Sequence, residues 1–267
     1  MSTTLTNDLP GGAQTVRRAF TILRLVACSQ EHGVRLVDLV QMSGLNRPTV
    51  HRLLKTLIQE GAVEQDKETR RYLIGREISL LGLARTRRFP LLTLADPYLR
   101  ELVDEVGDTV FLSIRHDHDS ICIGRHTGHH PIQVLSIEVG VRRPLGLGVS
   151  GVALLACLRS EESVALIQHN AIRLALQGES VDDVTLRVEH ARSQGGLAYK
   201  PKGIMPGTSA VAVPILHTGG PALGAVTVTG MADRLAETRL SMVVDRMRHA
   251  AAAIAARYES VSSKRVR

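Results

Sequence analysis

Apolar residues recur at intervals of three and four in three successive stretches of the first 60 positions. They are Val16, Ala19, Phe20, Leu23, Val26 and Ala27 in residues 14–29, then Leu36, Leu39 and Val40, then Val50, Leu53, Leu54 and Leu57. Each set fills one face of a helix. Gly44 can take the positive φ that ends a helix in a sharp turn. Asn46 suits an N-cap, and Pro48 suits a first turn, where its missing N–H would have no partner anyway. After Gly61 the polar and apolar positions of residues 62–74 predict a hairpin whose tip is polar and basic. The pattern is two short helices joined by a glycine turn, backed by a third helix and followed by a hairpin: a winged helix-turn-helix.

Beyond the hairpin, Ile78, Leu80, Leu81 and Leu83 predict a linking helix over residues 76–84. A charge run, residues 85–90, ends in a proline and marks a domain boundary as a solvated linker. Residues 91–106 are helical in spacing, with Pro97 as a kink or restart. The period then becomes two over residues 110–115 and 120–125, two strands flanking a polar turn, and residues 132–137 are a third strand candidate. Helices follow at 151–158, 161–169 and 184–193, strands at 197–199, 209–216 and 224–229, and a long Ala-rich helix at 236–258. This order predicts an α+β domain, an antiparallel sheet flanked by helices. The expected organisation is residues 14–75 as the winged module, 76–90 as linker and 91–260 as a sensor-type domain, with residues 1–13 as an arm.

Charge sharpens the division. The net charge is +7 over 267 residues. Residues 1–90 carry 14 Lys and Arg against 8 Asp and Glu, a net +6, and the remaining two-thirds carries +1. The excess sits with the helix-turn-helix, as a phosphate-binding surface requires. Arg47, Thr49, His51, Arg52 and Lys55 face outward from the second helix of the pair. Arginine can grip guanine O6 and N7, and threonine hydroxyls suit phosphates. His51 could equally pack against the preceding helix. Lys67, Arg70 and Arg71 sit at or beside the hairpin tip, placed for the DNA backbone. The competing interpretation is a common helix pair with a solvated basic face; the hairpin that follows favours double-stranded DNA. Aromatics, at 3% with no Trp, are too few for base-stacking recognition of single strands. Cys28, Cys122 and Cys157 form no CxxC pair and read as buried thiols in a reducing cytoplasm. No apolar run approaches the roughly 18 residues of a membrane span, and no signal core opens the chain.

Other patterns carry less. Gly146-Leu-Gly-Val-Ser-Gly151 matches G-x-G-x-x-G, but Pro144 and two arginines interrupt any preceding strand and no βαβ unit follows, so a loop approaching a ligand is favoured over a dinucleotide site. His116, His118, His126, His129 and His130 cluster in sequence; surface histidines are favoured over a zinc site. No G-x-S-x-G or HExxH occurs. Glu161-Glu162 and Asp182-Asp183 sit near helix starts, where carboxylates favour the dipole. No catalytic residue, metal or cofactor is expected.

From residue 14 to 258 the chain resembles the IclR family of bacterial transcription regulators. The resemblance rests on Thr15-Val-Arg-Arg-Ala-Phe-Thr-Ile-Leu, Asn46-Arg-Pro-Thr-Val-His-Arg-Leu-Leu-Lys-Thr-Leu and Arg71-Tyr-Leu-Ile-Gly in the first domain. In the second it rests on Gly140-Val-Arg-Arg-Pro-Leu, Ser150-Gly-Val-Ala-Leu-Leu-Ala, Pro206-Gly-Thr-Ser-Ala-Val-Ala-Val-Pro-Ile and Gly224-Ala-Val-Thr-Val-Thr-Gly. It implies a winged helix-turn-helix, a linker helix and a GAF-like effector-binding domain. It also implies a homodimer or homotetramer on palindromic operator DNA, repressing or activating a catabolic operon in response to a small organic acid, often aromatic. The effector positions it implies are Leu135, Val149, Ser150, Lys200, Ala210, Thr227 and Thr229. Thr227 and Thr229 alternate along one strand and so share a face. Ser150 stands near a helix N-terminus, which attracts carboxylates. Ala210, Val152 and Lys200 depart from the family pattern and imply a larger or less polar pocket. The alternatives are an enzyme or nucleotide-binding sensor fused to a DNA-binding module, and an interaction scaffold built on residues 236–258.

Overall fold

Three amphipathic helices, α1 (Gly11–Ala27), α2 (Leu36–Ser43) and α3 (Arg47–Gln59), begin the computed structural model, which describes residues 11–28, 33–86, 91–203, 205–218 and 220–263. Residues 1–10 of the expected arm and residues 87–90 of the expected linker lie outside the described residues. Helix α1 starts at Gly11, earlier than the apolar spacing indicates. The chain divides into two units, Met1–Arg88 and Phe89–Arg267.

In the first unit, Ile22, Val26, Leu39, Val50, Leu54 and Tyr72 are among the side chains that close one core. Gly44 caps α2 at φ 66°, its N–H bonded to the Val40 carbonyl. The Asn46 side chain accepts the Thr49 N–H at 2.9 Å and starts α3. Strands β1 (Val63–Gln65) and β2 (Tyr72–Ile74) pair antiparallel, and Val34 bridges to Tyr72. Helix α4 (Arg76–Thr86) follows, with Ile78 against the core and Leu80, Leu81 and Leu83 exposed.

The second unit opens with α5 (Leu91–Val106), which runs on through Pro97 without a restart. A six-stranded antiparallel sheet has the order β5-β4-β3-β8-β7-β6. The strands are β3 (Thr109–His116), β4 (Asp119–His126), β5 (Arg142–Pro144), β6 (Ala198–Lys200), β7 (Thr208–Ile215) and β8 (Gly224–Met231). One face packs Val110, Leu112, Val211, Val213, Val226 and Val228 against α5 and the long α10 (Glu237–Ser263). The other face presents Ala212 and Ala225 to α6 (Gly148–Ala156), behind which lie α7 (Ser160–His169), the short α8 (Ala171–Ala175) and α9 (Val181–Ser193).

The strand expected at residues 132–137 does not form. Its neighbourhood is tied by side chains instead: Gln133 Nε2 donates to the Gly107 and His130 carbonyls, and Thr229 Oγ1 donates to the Val134 carbonyl. The third strand of that group is β5, whose Pro144 lacks an N–H and is tolerated because β5 is an edge strand.

One buried ionic cluster ties the start of the sheet to its last helix. The Asp108 carboxylate is almost fully buried and accepts from Arg234 Nε at 2.6 Å and Arg239 Nη1 at 2.8 Å. Both arginines also donate to the Val106 carbonyl. Removing the acid strands two guanidinium groups that are only about a quarter exposed. Asp108→Ala is therefore expected to cost about 3 kcal/mol and to lower the melting temperature of this unit by roughly 6–12 °C in a thermal scan.

Candidate functional sites

On α3 the apolar stripe is fully used: Val50, Leu53, Leu54 and Leu57 are buried. The opposite face carries Arg47, His51, Arg52 and Lys55, all exposed, with Thr49 half-buried beside them. His51 thus lies on the open face rather than against α2. The side chains of Arg47, Arg52 and Lys55 form no ion pair among the described residues. The hairpin tip is held in place from within. Asp66 accepts from the Thr69 backbone and hydroxyl, each at 2.7 Å, and from the Glu68 N–H, which holds its carboxyl below the usual range. Arg70 takes a left-handed conformation at φ 58°. Lys67 and Arg70 are exposed at the tip. Arg71 behaves differently: it is half-buried and donates to the Gly33 carbonyl at 3.0 Å, fastening the hairpin to the chain before α2. Helix α3 thus leaves a row of cations exposed, and the hairpin tip adds Lys67 and Arg70, the residue types that contact DNA in winged helices.

In the second unit a cavity of about 30 Å³ lies between the sheet and the start of α6. Thr227 and Thr229 face it from β8, and Ala210 from β7. Ala210 is paired across the ladder with Thr229, and Ala212 with Thr227, so small side chains leave the space open. Gly148, Val149 and Ser150 bring the first turn of α6 to the cavity. The residue before that turn is Leu147, and no side chain caps the helix. Its first N–H groups have no intrahelical acceptor, so they and the helix dipole favour an anion there. The glycines that matched G-x-G-x-x-G serve this turn. Gly146 (φ +100) sits where a Cβ would lie 2.7 Å from Val184, and at Gly151 a Cβ would meet the Gly146 nitrogen at 2.9 Å.

Arg143 lines the same cavity and was not singled out by the sequence. Its Nη2 donates to the Ser136 carbonyl at 2.8 Å. Its Nη1 and the Thr227 hydroxyl are both buried and have no hydrogen-bond partner among the described residues. Burial pushes the Arg143 pKa below the usual guanidinium value. A half-buried cation with one buried, unmet donor, a buried hydroxyl and an uncapped helix start converge on one small space. Each of the three is a group that an anion would satisfy.

Of the expected effector residues, the structure brings Val149, Ser150, Lys200, Ala210, Thr227 and Thr229 to this cavity. Leu135 is a correction: it is 48% exposed and does not line it, while its neighbours Val134 and Ser136 do. Lys200 is already engaged, with Nζ 2.9 Å from Glu179, which also binds Arg187. Val152 does not reach the cavity either; it lines a neighbouring cleft of about 350 Å³. The pocket expected to be large is, in the cavity proper, small.

The clustered histidines are dispersed. His118 stacks on His169 with ring centroids 3.7 Å apart, His126 lies 3.4 Å from Asp96, and His130 bonds the Ile132 backbone. Among the described residues no three of His, Cys, Asp and Glu are grouped as for a metal ion. Cys122 is buried and Cys28 and Cys157 are half-buried, with burial pushing Cys122 and Cys157 up to about 11. No described helix is long and apolar enough to cross a membrane.

Comparison with known proteins bears on both units. Residues 15–67 match the IclR helix-turn-helix domain and residues 84–256 match the family described as bacterial transcriptional regulator IclR C-terminal. The transcriptional repressor IclR of Escherichia coli is 27% identical over 234 residues, covering 86% of this chain and 85% of that protein. A solved IclR-type regulator from a Silicibacter species superposes with a TM-score of 0.72 at 26% identity, covering 91% of this chain and 95% of that one. An IclR homologue from Microbacterium hydrocarbonoxydans, solved in complex with 4-hydroxybenzoate, shares the fold with a TM-score of 0.70 at 17% identity, covering 92% and 99%. The family is one of transcriptional regulators, not enzymes. With a DNA-binding module and a regulatory domain both matched in order, the chain belongs to the IclR family of bacterial transcriptional regulators.

Proposed function

We propose that the chain regulates a catabolic operon from the cytoplasm by binding palindromic operator DNA as a homodimer or homotetramer, and that a small organic acid in the α6 cavity is its signal. In this reading residues 14–75 bind DNA, residues 76–90 link, and residues 91–260 bind the effector and assemble. The observation that carries the effector half is Arg143 Nη1, a buried guanidinium donor with no partner beside the open start of α6. Leaving such a group unmet costs free energy that a carboxylate would return. The aromatic acid in the Microbacterium complex supports the ligand class. Exposed Leu80, Leu81 and Leu83 on α4, and Val16 and Phe20 on α1, supply apolar surface for association of the DNA-binding units. Regulation requires that the acid bind two states of the protein unequally. A 30 Å³ cavity that must widen to admit an organic acid provides such a difference.

Arg47, Thr49, His51, Arg52 and Lys55 then read or grip the major groove, and Lys67 and Arg70 hold phosphate. Arg52→Ala is expected to weaken operator binding by about 1–3 kcal/mol, roughly 5- to 150-fold, in a gel shift against the DNA upstream of the regulator's own gene. Normal binding by that variant would remove α3 from the interface. For the sensor, Arg143→Gln should leave effector-free operator binding unchanged. It should weaken the acid that wild type binds best, from a calorimetric panel including glyoxylate and 4-hydroxybenzoate, by roughly 10- to 100-fold.

A further inference from the structure

The cavity at α6 does not stand alone. Val149 and Lys200 line it and also line the adjoining cleft, so these two side chains are the wall between the two spaces. The spaces differ in character. The cavity, at about 30 Å³, admits about two water molecules, since a single water needs roughly 10–15 Å³ by this measure. It gathers the unmet Arg143 and Thr227 atoms. The cleft, at about 350 Å³, lies between α6, α9 and β6, and its apolar lining includes Val152, Leu186 and Ala198. That volume is within the range of organic-ligand pockets, roughly 300–1,000 Å³. Lys200 is held by Glu179, itself held by Arg187 midway along α9, so its ammonium is satisfied and its stem forms the partition. Leu186 is 67% exposed, a large apolar side chain left open at the rim of the cleft.

We propose that the effector site has two compartments and that the effector is a carboxylic acid with an extended apolar body. The carboxylate enters the cavity against Arg143 and the α6 N-terminus, and the body passes Val149 and Lys200 to cover Val152, Leu186 and Ala198 in the cleft. This rests on the cavity being the effector site, and it assigns the cleft, with Val152 and Leu186, as the part that selects for length. It also accounts for a sensing cavity too small for a ring or a chain.

The test is calorimetric titration of the full chain with acetate, butanoate, hexanoate and octanoate. Affinity should rise about three- to fourfold per added methylene as the chain extends into the cleft. Leu186→Asp, at an exposed position where folding is preserved, should weaken octanoate at least tenfold and change acetate less than twofold. Ile172→Asp, comparably exposed and lining neither space, should change neither. Arg143→Gln should weaken every member alike. An affinity flat with chain length, or octanoate binding unaffected by Leu186→Asp, overturns the two-compartment site, while loss of acetate binding in Arg143→Gln keeps the cavity reading intact. A series unaffected by Arg143→Gln, or no binding by any of the four acids, overturns both. If Leu186→Asp shifts the sedimentation of the protein but not its titrations, the cleft is a contact between copies and the proposal fails.

Discussion

The second unit depends on how closely α6 can approach the sheet. Every residue of α6 is buried, a condition few helices meet outside large cores. Close approach needs small side chains on both sides. The helix supplies Gly148, Ser150, Gly151, Ala153 and Ala156, and the strands supply Ala212 and Ala225. Burying the helix this way also buries its first turn, whose N–H groups are normally met by a capping side chain or by water. With Leu147 before it, no side chain meets them. The cost of an uncapped, buried helix start is accepted at the one place where the sheet turns from alanine to threonine and where Arg143 is brought in from the edge strand. A polar, incompletely satisfied pocket inside an otherwise apolar layer lowers stability, as the proposed effector site requires.

The same strands serve the opposite requirement on their other face. In β8, Val226 and Val228 enter the core against α10 while Thr227 and Thr229, one residue along, face the cavity. In β7, Val211 and Val213 alternate with Ala210 and Ala212 in the same way. Rigid packing on the branched face, clamped by Asp108 between Arg234 and Arg239, fixes where the polar face stands. In the proposed site the sheet is then the fixed reference, and α6, α9 and the Glu179 link are the parts that would adjust to a bound acid.

Much of this was legible in the sequence wherever the signal was local. Gly44 and Asn46 mark the helix-turn-helix because a left-handed cap and an N-cap each depend on one residue and its immediate neighbours. The long strands were legible because two-residue alternation reports a sheet with two different faces. Residues 132–137 were misread because an apolar run suggests a strand, yet their backbone partners are distant side chains such as Thr229 that no periodicity announces. Leu135 was assigned to the cavity by the family resemblance, whereas here its neighbours Val134 and Ser136 line it; with no ladder to set register, alternation offers no means of choosing among the three. Arg143 was passed over because Arg-Arg-Pro looks like a loop. It becomes a three-residue edge strand only through pairing with β4, and only that pairing carries the guanidinium inside.

The arginines divide the molecule into what it does for itself and what it does for others. Arg35 closes on Asp38, Arg71 on the Gly33 carbonyl, Arg234 and Arg239 on Asp108, and Arg187 on Glu179. Each of these is answered within the protein and holds a turn, a hairpin or a helix in place. Arg47 and Arg52 on α3 are left in water, where a cation costs little to expose and gains most from a polyanion that releases its counterions. Arg143 is answered inside on one nitrogen only, by the Ser136 carbonyl, and its unmet Nη1 is where the proposed acid would bind. One residue type, left wholly or partly unmatched in two different dielectric settings, is what the proposed function draws on in each unit: a long charged duplex in the first and a single buried carboxylate in the second.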